Sequence, residues 1–246
     1  MTVGTYQEGV GTFYNQGLFV QSAVQKHRLG YIRPLGDGRV FAYAKAGEEL
    51  AAGELTQAAV PDTYAPECAV QVAANVGDDH IFITYGAGAR ATLNYFKDGY
   101  ITLVMPAYGI GYMYKIRGHA AMTSGATVRV ELYDKVLLAL TTSSKATLTK
   151  HPQDSVIQSV AANLTGVATG VPPMLITTGY YFWNQVKGIT NVLCNGTWAV
   201  GDALTPGSVA GSLMPWATTT QPIIAHAMIV PTDTYGGLAM LSVPGY

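Results

Sequence analysis

The sequence predicts an all-β protein, with β-sandwich or β-barrel domains behind an extended N-terminal arm. Three observations carry this. Residues that suit a pleated surface are abundant, with 26 threonines and 16 tyrosines among 246 residues. Glycine and proline, 28 and 12 in number, punctuate the chain at short intervals. Only residues 48–52 and 135–140 look even briefly helical, so the crossover helices of a doubly wound α/β fold are not expected.

In chain order, residues 1–28 scatter Tyr6, Phe13, Tyr14, Leu18, Phe19 and Val20 among glycines without a helical or strand period. They read either as an arm that orders on a partner or as an edge strand tied to its own domain. Strand patterns follow at 39–44, 80–85, 100–105, 112–117, 127–132, 180–187, 190–194, 223–229 and 238–243. Gly36-Asp37-Gly38, Asp98-Gly99 and Asn195-Gly196 supply the positive φ that tight turns need. Of the 29 charged side chains, only Asp154, Lys187, Asp202 and Asp233 lie beyond residue 150. The polar stretch 141–150 ends in His151-Pro152, a dipeptide hostile to helix. The expected organisation is therefore an arm at 1–28, a β-rich domain at 29–150 and a charge-poor, barrel-like β domain at 151–246.

Charge excludes several functions. Charged residues make up 12% of the chain, against roughly 25% in an ordinary globular protein. The net charge is −1, which disfavours direct binding to nucleic acid through a basic surface. So little self-repulsion suits a subunit whose surface is covered by others, and a homo-oligomer is expected. No basic n-region precedes Lys26, so synthesis in the cytoplasm without a secretory signal is expected. The apolar stretch 101–114 is interrupted by Pro106, Gly109 and Gly111, and no membrane span is expected. Cys68 and Cys194 form neither a CxxC motif nor a disulfide framework, and two buried thiols are the simpler reading.

Motifs for chemistry are sparse. There is no GxSxG, HExxH or GxxxxGK[ST], and the GxG strings at 9–11, 86–88 and 109–111 lack a third glycine and a following helix. Asp78-Asp79-His80 could offer oxygen and imidazole to a cation, but it reads better as a solvated turn entering a strand. Asp98, Glu131 and Asp134 are the only carboxylates considered for a hydrolase, and nothing in their spacing singles them out. No catalytic residue, cofactor or metal is expected. The aromatics are the positive signal: Trp183, Trp198 and Trp216 could stack on a sugar, or they could fill strand faces and cores.

The segments LGYIRPLGDGRVFAYAKAGEELAAGELTQAAV (29–60), GYITLVMPAYGIGYMYKIRGHAA, TVRVELYDKVLLALTTSSKATL and GYYFWNQVKGITNVLCNGTWAVGDALTPGSVAGSLMP resemble successive blocks of tailed-bacteriophage virion proteins of the head-decoration, or cement, type. DGRVFAYAKAG is the most recognisable part. The resemblance covers most of residues 29–246. It implies a non-enzymatic protein that binds the major capsid protein on the outside of an expanded capsid, as a homotrimer, and stabilises the shell. By the same analogy Tyr6, Phe13, Tyr14 and Phe19 would be capsid contacts. The alternative is a carbohydrate- or receptor-binding β-rich component of the head or tail.

Overall fold

A computed structural model describes residues 16–86, 91–105, 110–217 and 221–246. These residues form sixteen strands and no helix, so the fold is all-β. The two briefly helical stretches become turns and bridges instead: Leu50 pairs with Ile176, and Leu140 pairs with Ala74.

The chain divides into two compact units. One combines residues 1–60 with 152–246, and the other is the intervening segment 61–151. The second unit ends at His151. The expected domain at 29–150 is corrected, because residues 29–60 build the same unit as the charge-poor C-terminal part. The reason is strand pairing: β2 (Val40–Lys45) lies antiparallel to β12 (Tyr181–Leu193), with Tyr43 opposite Trp183 and Ala44 opposite Phe182. Partners so far apart in sequence leave no local trace of their pairing.

The first unit contains a seven-stranded sheet in which every neighbouring pair is antiparallel. It begins with β1 (Ile32–Pro34) and β2, passes through β12 and β16 (Gly236–Ser242), and ends with β15 (Ala225–Ala227), β13 (Ala203–Pro206) and β14 (Leu213–Pro215). A smaller sheet sets β3 (Thr56–Gln57) between β10 (Ile157–Gln158) and β11 (Ala168–Gly170). The even-numbered residues of β12 face the interior: Phe182 joins one apolar cluster, and Val186 and Val192 join another with Leu204, Ala225, Ala239 and Leu241. The separate strands expected at 180–187 and 190–194 are one strand, with a bulge between Gln185 and Lys187 against β2.

The second unit is a closed six-stranded barrel. Its strands are β4 (Cys68–Val70), β5 (His80–Thr84), β6 (Tyr100–Leu103), β7 (Met113–His119), β8 (Thr127–Leu132) and β9 (Lys145–Thr149). Alternation explains its core: Ile81 and Ile83 of β5, and Val128, Val130 and Leu132 of β8, point inward, while Arg129 and Thr127 point out. Closure leaves no unpaired strand edge, since β9 pairs both β4 and β6. That strand occupies the stretch 145–149, which the sequence presents as part of a polar boundary. Its alternation is short, with only Ala146 and Leu148 buried, and threonine and lysine hide it. Both cysteines are buried free thiols.

Candidate interaction surface

Two of the three tryptophans that could stack on a sugar are core. Trp183 has no exposed surface and packs with Phe41, Tyr43 and Leu29, and Trp198 is buried with Leu204 and Val192. Both are corrected from ligand platform to core filler: the pairing of β2 with β12 brings Trp183 beside Phe41 and Tyr43, and Trp198 lies against Gly237 of β16. Trp216 alone of the three is exposed, at 41%.

The carboxylates considered for hydrolysis are engaged in separate surroundings. Asp98 is buried beside β6 and accepts a hydrogen bond from the Tyr133 hydroxyl at 3.2 Å. Glu131 lies on the outward face of the barrel, 3.0 Å from the Arg117 guanidinium, and Asp134 is exposed beyond the end of β8. Asp79 and His80 do not diverge as strand alternation would require: Asp79 Oδ1 is 2.8 Å from His80 Nδ1, with Arg129 at 3.5 Å and Lys135 at 3.7 Å. Asp79 sits just before β5, where alternation has not begun. Hydrogen bonding to His80, with the nearby cations, holds its carboxyl below the usual range. The result is a band of surface ion pairs on the barrel. Among the described residues, no group of three His, Cys, Asp or Glu side chains is arranged to hold a metal ion.

Three histidines are built into the fold. His119 Nε2 accepts a hydrogen bond from the Phe96 amide at 2.9 Å, which places the proton on Nδ1, 2.7 Å from the Ala120 carbonyl. A register shift between Ile116 and Gly118 turns this side chain inward at the end of β7. His151 is buried, and desolvation with the nearby Lys115 cation lowers its pKa to about 4, partly opposed by Asp98. Desolvation also lowers the pKa of His27, which stacks on Tyr31 and meets Tyr43 and Trp183.

The segment before β1 is held firmly. The Gln16 side chain is buried: its amide donates to the Tyr181 carbonyl at 2.8 Å and to the Val20 carbonyl, and its oxygen accepts from the Tyr43 hydroxyl at 2.8 Å. Its main-chain carbonyl accepts from the Trp183 indole at 3.0 Å and from Arg33 at 2.9 Å. Ser22 forms an antiparallel bridge with Tyr181. Over residues 16–28, therefore, the expected arm is docked on its own sheet. Nothing local marks Gln16 for this role, since its partners lie up to 167 positions away.

Between these anchors the chain presents Phe19, 61% exposed, and Val20, and just beyond Ser22 it exposes Val24. Of the expected capsid contacts, Phe19 is thus on the surface, while Tyr6, Phe13 and Tyr14 lie outside the described residues. A second apolar surface stands on the seven-stranded sheet: Ile189 lies opposite Met240, and Leu238 opposite Asn191. Ile189, Leu238 and Met240 are each 40% exposed or more. The Asn195 side-chain oxygen is taken by the Ser208 amide and hydroxyl.

Comparison with family models, curated protein sequences and solved structures gives no match.

Proposed function

We propose that this chain is a non-catalytic structural protein of a tailed-phage virion, a decoration protein that binds the major capsid protein on the outside of the expanded shell as a homotrimer. The observation that supports this best is the loop from Gln16 to Ser22. It is clamped at both ends by buried hydrogen bonds and main-chain pairing, yet displays Phe19 and Val20 to solvent. Exposed aromatic and branched residues on a rigid base lose little conformational entropy when covered, which suits a contact surface. Many copies on a symmetric shell would make a modest contact per subunit effective.

The test is co-sedimentation with expanded empty capsids, with the native mass measured by light scattering. Saturable binding at fixed stoichiometry is expected, weakened about tenfold by joint Phe19→Ser and Val20→Ser substitution, roughly 1.4 kcal/mol. These side chains are exposed, so the variant should keep its fold. A wild-type protein that stays in the supernatant at every concentration would rule the proposal out.

The carbohydrate reading now depends on Trp216, exposed beside β14. A glycan titration monitored by tryptophan fluorescence, compared with Trp216→Ala, tests it.

A further inference from the structure

The sequence holds one Asn-Gly pair, Asn195-Gly196, just after β12. This dipeptide is labile in water, because the glycine nitrogen can attack the carboxamide carbon of the asparagine before it. The two atoms are already joined through the main chain, so closure of a five-membered ring needs only rotation about ψ and χ1 of the asparagine. The Gly196 N–Cγ bond forms as the Asn195 Cγ–Nδ2 bond breaks, the Gly196 amide loses its proton, and Nδ2 departs as ammonia. Water then opens the cyclic imide at either carbonyl, which gives aspartate or isoaspartate. Nothing crowds the nucleophile, since a Cβ built at Gly196 would meet no atom within 4 Å.

In this fold, however, the rotations that closure needs are tied down from three separate segments. The Asn195 amide donates to the Leu213 carbonyl of β14 at 2.8 Å, and the Gly196 amide donates to Asp233 Oδ1 at 2.7 Å. These bonds hold the peptide planes on both sides of the Asn195 Cα, and with them its φ and ψ. The side chain is held independently: Oδ1 accepts from the Ser208 amide at 2.9 Å and from the Ser208 hydroxyl at 2.8 Å, which fixes χ1. A Cβ built at Gly207 would lie 3.1 Å from that oxygen and 3.2 Å from Asn195 Cβ, so the side chain rests closely against the 207–208 backbone. The Gly196 carbonyl accepts from the Cys194 thiol at 3.0 Å and closes the turn. Charge acts in the same direction. Negative charge builds on the Gly196 nitrogen as its proton leaves, and the Asp233 carboxylate already stands beside that nitrogen. The Ser208 donors would stabilise the oxyanion of the closing ring, but the same bonds resist the rotation that brings the ring together.

We propose that Asn195-Gly196 is a covalent modification site held latent by the fold: Asp233 and Ser208 keep the cyclic imide from forming, and loss of either contact releases conversion to aspartate and isoaspartate. The change is one-way. It adds a carboxylate near Asp233 in a stretch where Asp154, Lys187, Asp202 and Asp233 are the only charged side chains beyond residue 150. Isoaspartate also lengthens the main chain next to the bridge between Cys194 and Leu213. This goes beyond the shell-binding proposal and does not depend on it.

The test incubates the full chain at mildly alkaline pH and follows residue 195 by the mass gain and isoaspartate content of the peptides that contain it. The folded chain should convert about tenfold more slowly than the same chain unfolded in guanidinium, the effect of one to two ordinary hydrogen bonds on a barrier. Folded Asp233→Ala and Ser208→Ala should each convert about threefold faster than folded wild type. Both side chains are exposed, so the variants should keep the wild-type unfolding midpoint within the range of a surface substitution. Unfolded in guanidinium, they should convert at the wild-type unfolded rate, which ties the difference to the fold. The proposal is overturned if folded wild type converts as fast as the unfolded chain, or if either folded variant converts no faster than folded wild type. Slower conversion in the variants would make Asp233 a base and Ser208 an oxyanion donor for an accelerated reaction, the opposite assignment. Capsids play no part in the measurement, so its failure leaves the shell-binding proposal untouched.

Discussion

His119 and His151 show how single residues make this fold sensitive to acid. In the folded chain both are kept neutral, His151 by burial beside Lys115 and His119 by burial, with its Nε2 committed to the Phe96 amide. In the unfolded chain a histidine takes up its proton near pH 6.5. Below that pH the unfolded state binds more protons than the folded state, so stability falls as pH falls. For His151 the contribution is present in full above about pH 6.5 and is lost down to its folded value of about 4. This spans up to about 3 kcal/mol at 1.36 kcal/mol per unit. Urea unfolding at pH 7.5, 6, 5 and 4.5 should show a steady decline, and His151→Asn should flatten it. An unchanged midpoint from pH 7.5 to 4.5 would contradict this assignment. None of it was legible in the sequence, where five isolated histidines offered no partners. What fixes His119 is a register irregularity, and what sets His151 is burial, with the charges of Lys115 and Asp98 nearby though far from it in the chain.

Elements were legible where alternation is long and were missed where it is short or shared. The pattern at 127–132 coincides with β8, and those at 39–44, 80–85 and 238–243 overlap β2, β5 and β16 within two residues. Strands of two or three residues, such as β3, β10 and β13's neighbour β14, carry too few positions to show a period. The tryptophans were ambiguous for a different reason: an aromatic on a strand looks the same in sequence whether the face is covered or open. Trp198 is covered partly by β16 itself, because Gly237 has no side chain. A Cβ built at Gly237 would sit 2.5 Å from Trp198 Cζ3. Gly237→Ala must push the indole aside and should cost about 1–3 kcal/mol, the usual range for overpacking. A denaturation midpoint equal to wild type would show that the indole shifts freely. The docked segment before β1 is the other element the sequence left open. Removing its anchor with Gln16→Ala breaks buried hydrogen bonds worth about 1–3 kcal/mol. If cleavage tracks the opened population, trypsin should cut after Lys26 and Arg28 roughly tenfold faster, with cleavage elsewhere little changed. Equal rates would mean that the Ser22 bridge and Leu18 hold the segment without Gln16.

At the scale of the whole molecule, the drop in charge beyond residue 150 could not reveal that the chain returns there to a unit begun before residue 61. The geometry of that return makes the arrangement testable. In the first unit, β3 and β10 are antiparallel neighbours with Gln57 opposite Ile157, so the chain leaves and re-enters through adjacent strands. In the second unit, the first and last strands also pair, Cys68 opposite Ala146, and the Leu148 amide bonds the Ala65 carbonyl. Each unit thus brings its own cut ends together and keeps its own buried core. Closing a short loop across such ends costs little entropy, and an inserted domain of this kind is expected to fold by itself. Residues 61–151 expressed alone should give dispersed amide spectra and a single cooperative unfolding transition. The complementary chain, with Val60 joined to Pro152 by a short glycine-serine link, should do the same. A disordered 61–151 fragment beside a folded complement would mean that the barrel draws its stability from the rest of the molecule, despite its closed ring of strands.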